Sequence, residues 1–340
     1  MRTAVSLRLY RMNLILQDVK DLYMKRILQA GSVMILLVLL LLFSGVQAQE
    51  KRAAGRKEFV INIVGDIMLS RDVQRMLNDN GYDYPYEEVS YYFLEDDLTI
   101  GNLECPITQA GNAANKEKRF IFRADYENAG ALSRAGFNCL NLANNHTMDY
   151  LDEGLGDTME ALREEGISTV GAGMNGEEDT TFVWEKDGYK IGILAFSALP
   201  TEGFFYDAKA PTVSYISTYN TDLVAEKIRS LECDFKIVYF HWGVEYMPYK
   251  TKTQESFAHM AVDNGADLVV GAHPHVIGES EIYAGVPIYY SLGNFVFDRQ
   301  IQPGTDETMI LQVVIDRKTG IKEITEIPAK IIDARVHLIK

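Results

Sequence analysis

Two histidines separated by one proline follow an apolar run in the stretch "LVVGAHPHVIGE", Leu268 to Glu279. Only six histidines occur in the 340 residues, and a pair this close together is therefore a candidate for a catalytic or metal-binding role. In an extended segment the side chains at positions i and i+2 point the same way, and Pro274 stiffens the backbone between them. The spacing predicts that His273 and His275 contribute to one divalent metal site. The alternative is that both are surface imidazoles without a ligand.

Other apolar, strand-like runs also end in a polar or ionisable side chain, namely Asp66, Glu104, Asn145 with His146, and His241. Carboxylates, an amide oxygen and imidazoles together form a ligand set for Mn, Zn or Fe. Taken alone, Asp66 could equally cap a helix and Glu104 could be an exposed loop carboxylate. Their shared placement favours a metal site, at which His146, if not a ligand, would act as a general acid.

The segments that must position these groups alternate between strand-like and helical patterns from residue 58 onward. The apolar runs are "FVINIVGD", "DLTIGNLE", "FNCLNLANNH", "FKIVYFHWG" and "DLVVGAHPH", with helical patterns such as 149–166 and 251–265 between them. Buried strands linked by helices predict an α/β sheet whose ligands gather outside the strand ends. Turn sequences at Asp187-Gly188 and around 318–320 predict hairpins, and hence a mixed or second sheet. No linker divides residues 58–340, which we expect to form one domain.

The charge is unevenly distributed along the chain. Residues 1–48 hold six Lys/Arg and two Asp/Glu, a net charge of +4, which leaves −19 for residues 49–340 out of a total of −15. An acidic body of this size repels nucleic-acid phosphates, so we expect no nucleic-acid partner. A local basic patch, "NKEKRF" at Asn115–Phe120, is either a contact for an anionic ligand or an ordinary solvated loop.

The N-terminal region resembles an export signal. The basic "MKR" at 24–26 precedes the uncharged run Val33–Phe43, and Val46 and Ala48 provide the small residues of a signal-peptidase site. We expect residues 1–48 to be an N-terminal extension with a signal peptide or, since 27–48 carries no charge, a membrane anchor. Residues 49–57 form a charged tether. The chain is therefore predicted to be exported, either to the cell envelope or to the extracellular space, and the three cysteines offer neither a lipid-attachment site nor a complete disulfide framework.

Six blocks in order along the chain resemble those of a known family. They are "GDIMLSR", "GNLECPIT", "NLANNHTMDY", "HWGVEY", "GAHPHVI" and "YSLGNFVFD", from Gly65 to Asp298. They closely resemble the poly-gamma-glutamate capsule synthesis protein family, CapA, which looks like a branch of the calcineurin-like metallophosphoesterases. The resemblance implies an α/β fold, a four-layer α/β/β/α sandwich of two mixed sheets flanked by helices, with one or two divalent metal ions at the strand ends.

The resemblance also implies a role for each of the matching residues. Asp66 matches the first metal aspartate, Glu104 the bridging carboxylate and Asn145 the amide ligand. The catalytic histidine would be His146, which protonates the leaving group while the metals activate a bridging water. The remaining metal ligands would be His241, His273 and His275.

Two positions depart from the usual metallophosphoesterase pattern. Met68 stands where a histidine is usual, and a thioether is a poor ligand for a hard cation. Glu104 stands where an aspartate is usual, which shifts the carboxylate by one methylene. The absence of the usual histidine at position 68 is predicted to weaken one metal position.

A further set of polar residues is predicted to bind substrate or to orient the imidazoles: Arg71, Asn144, Glu245, Asn294 and Asp298. Arg71 would clamp an anionic group, although each of these residues also has a simple surface, loop or turn interpretation. His259 and His337 are expected to be structural or solvated.

Two functions remain in view from the sequence. The first is an exported, metal-dependent hydrolase that acts on a phosphoester or an anionic polymer of the envelope. The second is a non-catalytic, membrane-tethered accessory protein that supports synthesis or export of such a polymer beside membrane-bound synthase partners.

Overall fold

Strands make up most of the regular structure in the residues that can be described. The computed structural model describes residues 57–114, 119–176, 180–201, 210–298 and 301–339. The strands in this part of the chain are β1 (Glu58–Ile67), β2 (Leu98–Leu103), β3 (Cys139–Asn141), β4 (Ser168–Val170), β5 (Ala172–Gly173), β6 (Phe182–Lys186), β7 (Tyr189–Ser197), β8 (Thr212–Val213), β9 (Phe235–His241), β10 (Leu268–Ala272), β11 (Ser280–Tyr283), β12 (Val286–Tyr289), β13 (Asn294–Val296), β14 (Glu307–Asp316), β15 (Gly320–Ile332) and β16 (Arg335–Leu338).

Six α-helices and one short 3₁₀-helix, Tyr84–Tyr86, accompany the strands in the described residues. The α-helices are α1 (Arg71–Asn80), α2 (Ser90–Glu95), α3 (Glu127–Ala135), α4 (Leu151–Glu164), α5 (Thr221–Ser230) and α6 (Lys252–Asp263). The predicted helices at 149–166 and 251–265 correspond to α4 and α6. Helix α6 begins at a capping box, in which Thr251 and Gln254 each accept a hydrogen bond from the other's backbone N–H.

The larger sheet has the order β16-β15-β14-β1-β2-β3-β4, with β13 also paired to β1. Strands β1 to β4 are parallel, whereas β14 to β16 extend the sheet in antiparallel fashion. Strands β1 and β2 consist almost wholly of buried residues, as expected for parallel strands covered on both faces. These two strands therefore form the centre of this sheet.

The smaller sheet has the order β11-β12-β10-β9-β7-β6 and is also mixed. Its four inner strands are parallel, and each edge strand is antiparallel. Both predicted hairpins are confirmed. Between β6 and β7, Asp187 (φ 52°) and Gly188 (φ 70°) both adopt positive φ, as a two-residue type I′ turn requires.

The two sheets pack face to face, and helices cover the outer faces. The Tyr239 hydroxyl of the smaller sheet donates to the Val64 carbonyl of the larger one at 2.8 Å, and the Phe59 and Tyr189 rings stack 4.9 Å apart. A second apolar cluster joins the smaller sheet to α5 and α6, with Val224 and Phe257 among its members. The predicted fold class, an α/β/β/α sandwich of two mixed sheets flanked by helices, is confirmed.

No helix in the described ranges is long and apolar enough to cross a membrane. The predicted signal or anchor at 1–48 lies outside the described residues. Most of the tether at 49–57 and residues 115–118 of the basic patch lie outside them as well.

Asp96, just after α2, should make stability depend on pH. Burial raises the pKa of this half-buried carboxyl to about 7, although hydrogen bonds from Thr99 and Asn62 act against the increase. The pKa of Asp96 is higher in the folded than in the unfolded state. Its contribution to the free energy of unfolding is therefore complete below about pH 4 and is lost as the pH rises to about 7. Asp96→Asn should abolish this decrease, on the order of 1–3 kcal/mol. Urea unfolding of both proteins at pH 4.5 and pH 8 measures it, and parallel pH dependence in the two would contradict it.

Candidate metal centre

The ends of four parallel strands bring the predicted ligands together between the two sheets. Asp66 lies near the end of β1, and Glu104 directly follows β2. His241 is the last residue of β9, and Ala272 at the end of β10 pairs with it, so His273 is its neighbour. The His241 and His273 ring centres are 4.9 Å apart, and those of His273 and His275 are 5.6 Å apart.

The expected backbone conformation of the "HPH" segment is wrong. Strand β10 ends at Ala272, and both His273 (φ 93°) and His275 (φ 59°) adopt positive φ rather than the extended conformation. A bend with positive φ at both histidines, not alternation along a strand, brings the two imidazoles to one site. Positive φ is costly for residues with a Cβ, and such strain is concentrated at functional sites.

Glu104 is a buried carboxylate without the hydrogen bonds that burial normally demands. Among the described residues, neither of its carboxylate oxygens has a hydrogen-bond partner, and the same is true of His273 Nδ1. Glu104, His273 and His275 each offer a ligand atom within 4.8 Å of the other two. Buried polar groups left unpaired are costly, and a cation is the partner that carboxylate and imidazole lone pairs share. The residues present therefore fit a divalent metal ion.

His241 and Asn145 provide a second pair of ligand atoms near Glu104. His241 Nε2 is 2.7 Å from Asn145 Oδ1 and 3.7 Å from Glu104 Oε1, whereas His275 Nε2 is 3.8 Å from that same oxygen. The same carboxylate oxygen of Glu104 thus lies near a ring nitrogen of both His241 and His275, a donor set that fits a divalent cation. Burial, followed by the neighbouring His273 and His275, lowers the pKa of His241 well below its usual value, which favours the neutral imidazole that binds metals.

Asp66 is held by a network of buried amides that the sequence analysis missed. Asn102 pairs with Asp66 across β1 and β2, and its side-chain N–H donates to Asp66 Oδ1 at 2.7 Å. Asn102 Oδ1 in turn accepts hydrogen bonds from Asn141 (2.9 Å) and Asn144 (3.3 Å). The backbone N–H of His273 donates to Asp66 Oδ2 at 3.1 Å. The available signal was an asparagine inside each of two apolar strands.

His146 forms a pair with a carboxylate that the sequence analysis also missed. Its Nδ1 donates to Asp149 Oδ2 at 2.8 Å, and the same oxygen accepts from the backbone N–H of Phe122 at 2.8 Å. The His146 ring stacks on Phe122 with centres 4.1 Å apart. These contacts fix the orientation of the imidazole at the wall of a cleft. An aspartate three residues after a candidate catalytic histidine was the signal.

The five other predicted residues have separate positions. Asn294 Oδ1 accepts from His275 Nδ1 at 2.9 Å, which leaves His275 Nε2 facing Glu104. Asn144 is buried, and its side-chain oxygen accepts from the backbone N–H of His146, so it supports the loop rather than lining the cleft. Of these five predicted residues, the remaining three, Arg71, Glu245 and Asp298, line the cleft.

The cleft has a volume of about 400 Å³ and opens over His146 and His275. Its lining also contains Arg71 and Arg119 together with Phe120, Phe122 and Phe297. His275, one of the candidate metal ligands, thus lines a cleft large enough for a small anionic group and part of its substituent.

Met68 does not enter the candidate metal centre as a donor. It is buried, and its sulfur accepts a hydrogen bond from the Ser70 backbone N–H at 3.2 Å. The position usually occupied by a histidine therefore has a packing role here.

Two comparisons with known proteins give first the class and then the family. The fold is similar to that of a solved structure described as a novel phosphatase from Mycoplasma pneumoniae, with a TM-score of 0.51 and 15% identity over 83% of this chain and 94% of that one. The two mixed sheets and their flanking helices thus place the chain in the same fold class as this phosphatase. Residues 60–299 match the family described as bacterial capsule synthesis protein PGA_cap. The chain belongs to this family, the CapA family.

Two relatives support this assignment. The chain is 33% identical over 277 residues to the capsule biosynthesis protein CapA of Bacillus anthracis, which covers 79% of this chain and 67% of the relative. It is 32% identical over 270 residues to the PGA biosynthesis protein CapA of Bacillus subtilis, which covers 78% and 70%. The resemblance found in the six sequence blocks is therefore confirmed.

Proposed function

We propose that this protein is an exported, divalent-metal-dependent hydrolase of the phosphoesterase type that acts in capsule or poly-gamma-glutamate biosynthesis at the cell envelope. The observation that carries the proposal is the buried Glu104 carboxylate, whose unpaired oxygens lie among His241, His273 and His275. A folded protein keeps such a group where a cation compensates it, because an uncompensated one costs stability. Family membership supports the biological process, and the site supports the chemistry.

The side chains of the cleft can each perform one part of a hydrolysis. A divalent ion, when bound, supplies Lewis-acid polarisation of a phosphoryl group. Asp149 holds the His146 ring through Nδ1, so that a proton leaves from Nε2 toward the departing oxygen. Arg71 orients an anionic substituent, and the aromatic wall formed by Phe120, Phe122 and Phe297 limits access of water.

The proposed partners are an anionic polymer or phosphoester as substrate and membrane-bound polymer synthases as neighbours. Because residues 49–340 carry a net charge of −19, the general surface repels a polyanion, and contact must be concentrated at the metal centre or at the arginines of the cleft. No role with nucleic acid is proposed, for the same reason.

Export can be tested without reference to activity. We expect a reporter fused after Lys340 to be active outside the cytoplasm, because the basic residues at 24–26 and the apolar run Val33–Phe43 have the pattern of a signal. Activity of the reporter only in the cytoplasm would contradict this part of the proposal.

The hydrolase proposal is tested by metal analysis of the purified full chain, coupled to assays on a phosphodiester, a phosphomonoester and poly-gamma-glutamate. We expect at least one Mn, Zn or Fe ion per molecule and metal-dependent turnover of at least one phosphoester. A protein that contains no metal and takes up none when offered these ions would overturn the proposal.

One observation favours the alternative, a non-catalytic accessory role. Met68 occupies the position where metallophosphoesterases usually carry a histidine, and its sulfur is engaged with the Ser70 backbone inside the protein. A centre with one donor fewer holds one of its ions less tightly. Stable metal binding without turnover of any phosphoester, together with retention at the membrane, would favour this role.

A further inference from the structure

Arg71 lines the cleft and lies within a box of three aromatic rings. Its guanidinium carbon lies 4.7 Å from the ring centre of Phe122, 5.2 Å from that of Phe120 and 5.9 Å from that of Phe297. Aromatic faces attract a cation and partly desolvate it. A desolvated guanidinium binds an oxyanion more strongly than one surrounded by water, because electrostatic interactions strengthen as the local dielectric falls.

The position of Arg71 is constrained at both ends of the residue. Its backbone adopts φ 54° at the first position of α1, a conformation that non-glycine residues rarely adopt. Its Nη2 donates to Asp298 Oδ1 at 2.6 Å. In the part of the chain that the structure describes, this ion pair uses one of the five N–H donors of the guanidinium. The remaining donors are available for a ligand in the cleft, which Arg71 lines.

Two aromatic rings connect Arg71 to the candidate metal centre. Phe122 lies 4.7 Å from the guanidinium carbon and 4.1 Å from the His146 ring, so the guanidinium carbon is at most 8.8 Å, the sum of the two distances, from the imidazole. Phe297 likewise lies against Arg71 on one side and 4.9 Å from the His275 ring on the other. One small ligand can therefore contact the arginine and the histidines at the same time.

We propose that Arg71 binds a second oxyanion of the substrate, a carboxylate or a phosphate, separated by a short linker from the phosphoryl group at the histidines. The substrate class is then a phosphoester that carries another anionic group. This inference rests on the proposed function, because it takes the candidate metal centre as the site of the first phosphoryl group. A solely structural Arg71–Asp298 ion pair would not need a box of three aromatic rings facing the cleft.

The test uses non-hydrolysable ligands, so that it does not depend on turnover. The Mn²⁺-loaded full chain is titrated by calorimetry with 3-phosphonopropionate, which carries a carboxylate, and with propylphosphonate, which has a methyl group in its place. Wild type should bind the former about 10- to 100-fold more tightly, the effect of a charge-assisted hydrogen-bonded pair. A titration with propane-1,3-diphosphonate shows whether a second phosphonate serves as well as the carboxylate.

Arg71→Gln should remove the preference for the two ligands that carry a second anionic group. It should leave the affinity for propylphosphonate and the metal content unchanged. Arg71→Lys should keep part of it, because lysine keeps the charge but lacks the planar fork. Arg75→Gln is the matched control, since Arg75 lies on the same helix with its side chain 68% exposed and paired to Asp72. The inference would be overturned if wild type bound propylphosphonate as tightly as the ligands with a second anionic group. A preference that persists in Arg71→Gln would overturn it as well.

The outcomes separate this inference from the proposed function. If the ligands with two anionic groups bind in an Arg71-dependent way but no phosphoester is turned over, hydrolysis is contradicted and the second anion site is supported. Turnover of phosphoesters with no Arg71-dependent preference would support hydrolysis and refute the second anion site.

Discussion

The His146→Ala variant should lose about 10²- to 10⁴-fold in turnover of a phosphoester and keep its bound metal. The physical reason is that different residues have different roles in the structure. His146 lines the cleft, where it is paired with Asp149 and stacked on Phe122. The candidate metal-ligand atoms without a hydrogen bond among the described residues belong instead to Glu104 and His273. Removing a proton donor affects the chemical step, but it leaves the ligand atoms in place. Steady-state kinetics and elemental analysis of the same preparation measure both quantities.

Asp149→Asn provides a graded comparison for this prediction. The amide can still contact the His146 ring but cannot stabilise its charged form, so turnover should fall less than in His146→Ala and its pH profile should shift. Metal loss in His146→Ala equal to that in the ligand variants would refute the assignment of His146 to proton transfer. Unchanged turnover would refute it as well.

Removing either imidazole of the "HPH" segment should release at least one metal ion per molecule. His273 and His275 each offer a ligand atom within 4.8 Å of the other and of Glu104, and these three residues are buried, so water cannot readily replace a missing ligand. His273→Ala and His275→Ala should therefore contain less metal than wild type after identical purification. Elemental analysis gives the content, and circular dichroism confirms that each variant is folded.

The control for these variants is another histidine with a strong local contact. His337 Nδ1 lies 2.9 Å from Glu88 Oε1, and His337 does not line the cleft, so His337→Ala should retain the wild-type metal content. Folded His273→Ala and His275→Ala variants with full metal content would refute the metal assignment, and the accessory role would then lead.

Particular elements show why part of the fold was predictable from sequence. The runs that became β1, β2, β9 and β10 are continuous and apolar because both faces of each strand are covered, and such burial leaves a local signal. The Asp187-Gly188 hairpin was predictable for a local reason too, since its turn needs residues that tolerate positive φ. The conformation of His273 and His275 was not, because their positive φ values depend on the backbone around them, including the hydrogen bond from the His273 N–H to Asp66.

By itself, the sequence determined the family, the alternation of strands and helices, and the positions of the donor residues at the strand ends, because each of these is encoded in short consecutive stretches. Only the tertiary structure decided which donors meet. It placed Glu104 beside His241 and His275, paired Asp149 with His146, and enclosed Arg71 with Phe120, Phe122 and Phe297. These groupings join residues from two sheets and several loops, and burial, distance and unpaired lone pairs become defined only when those elements pack together.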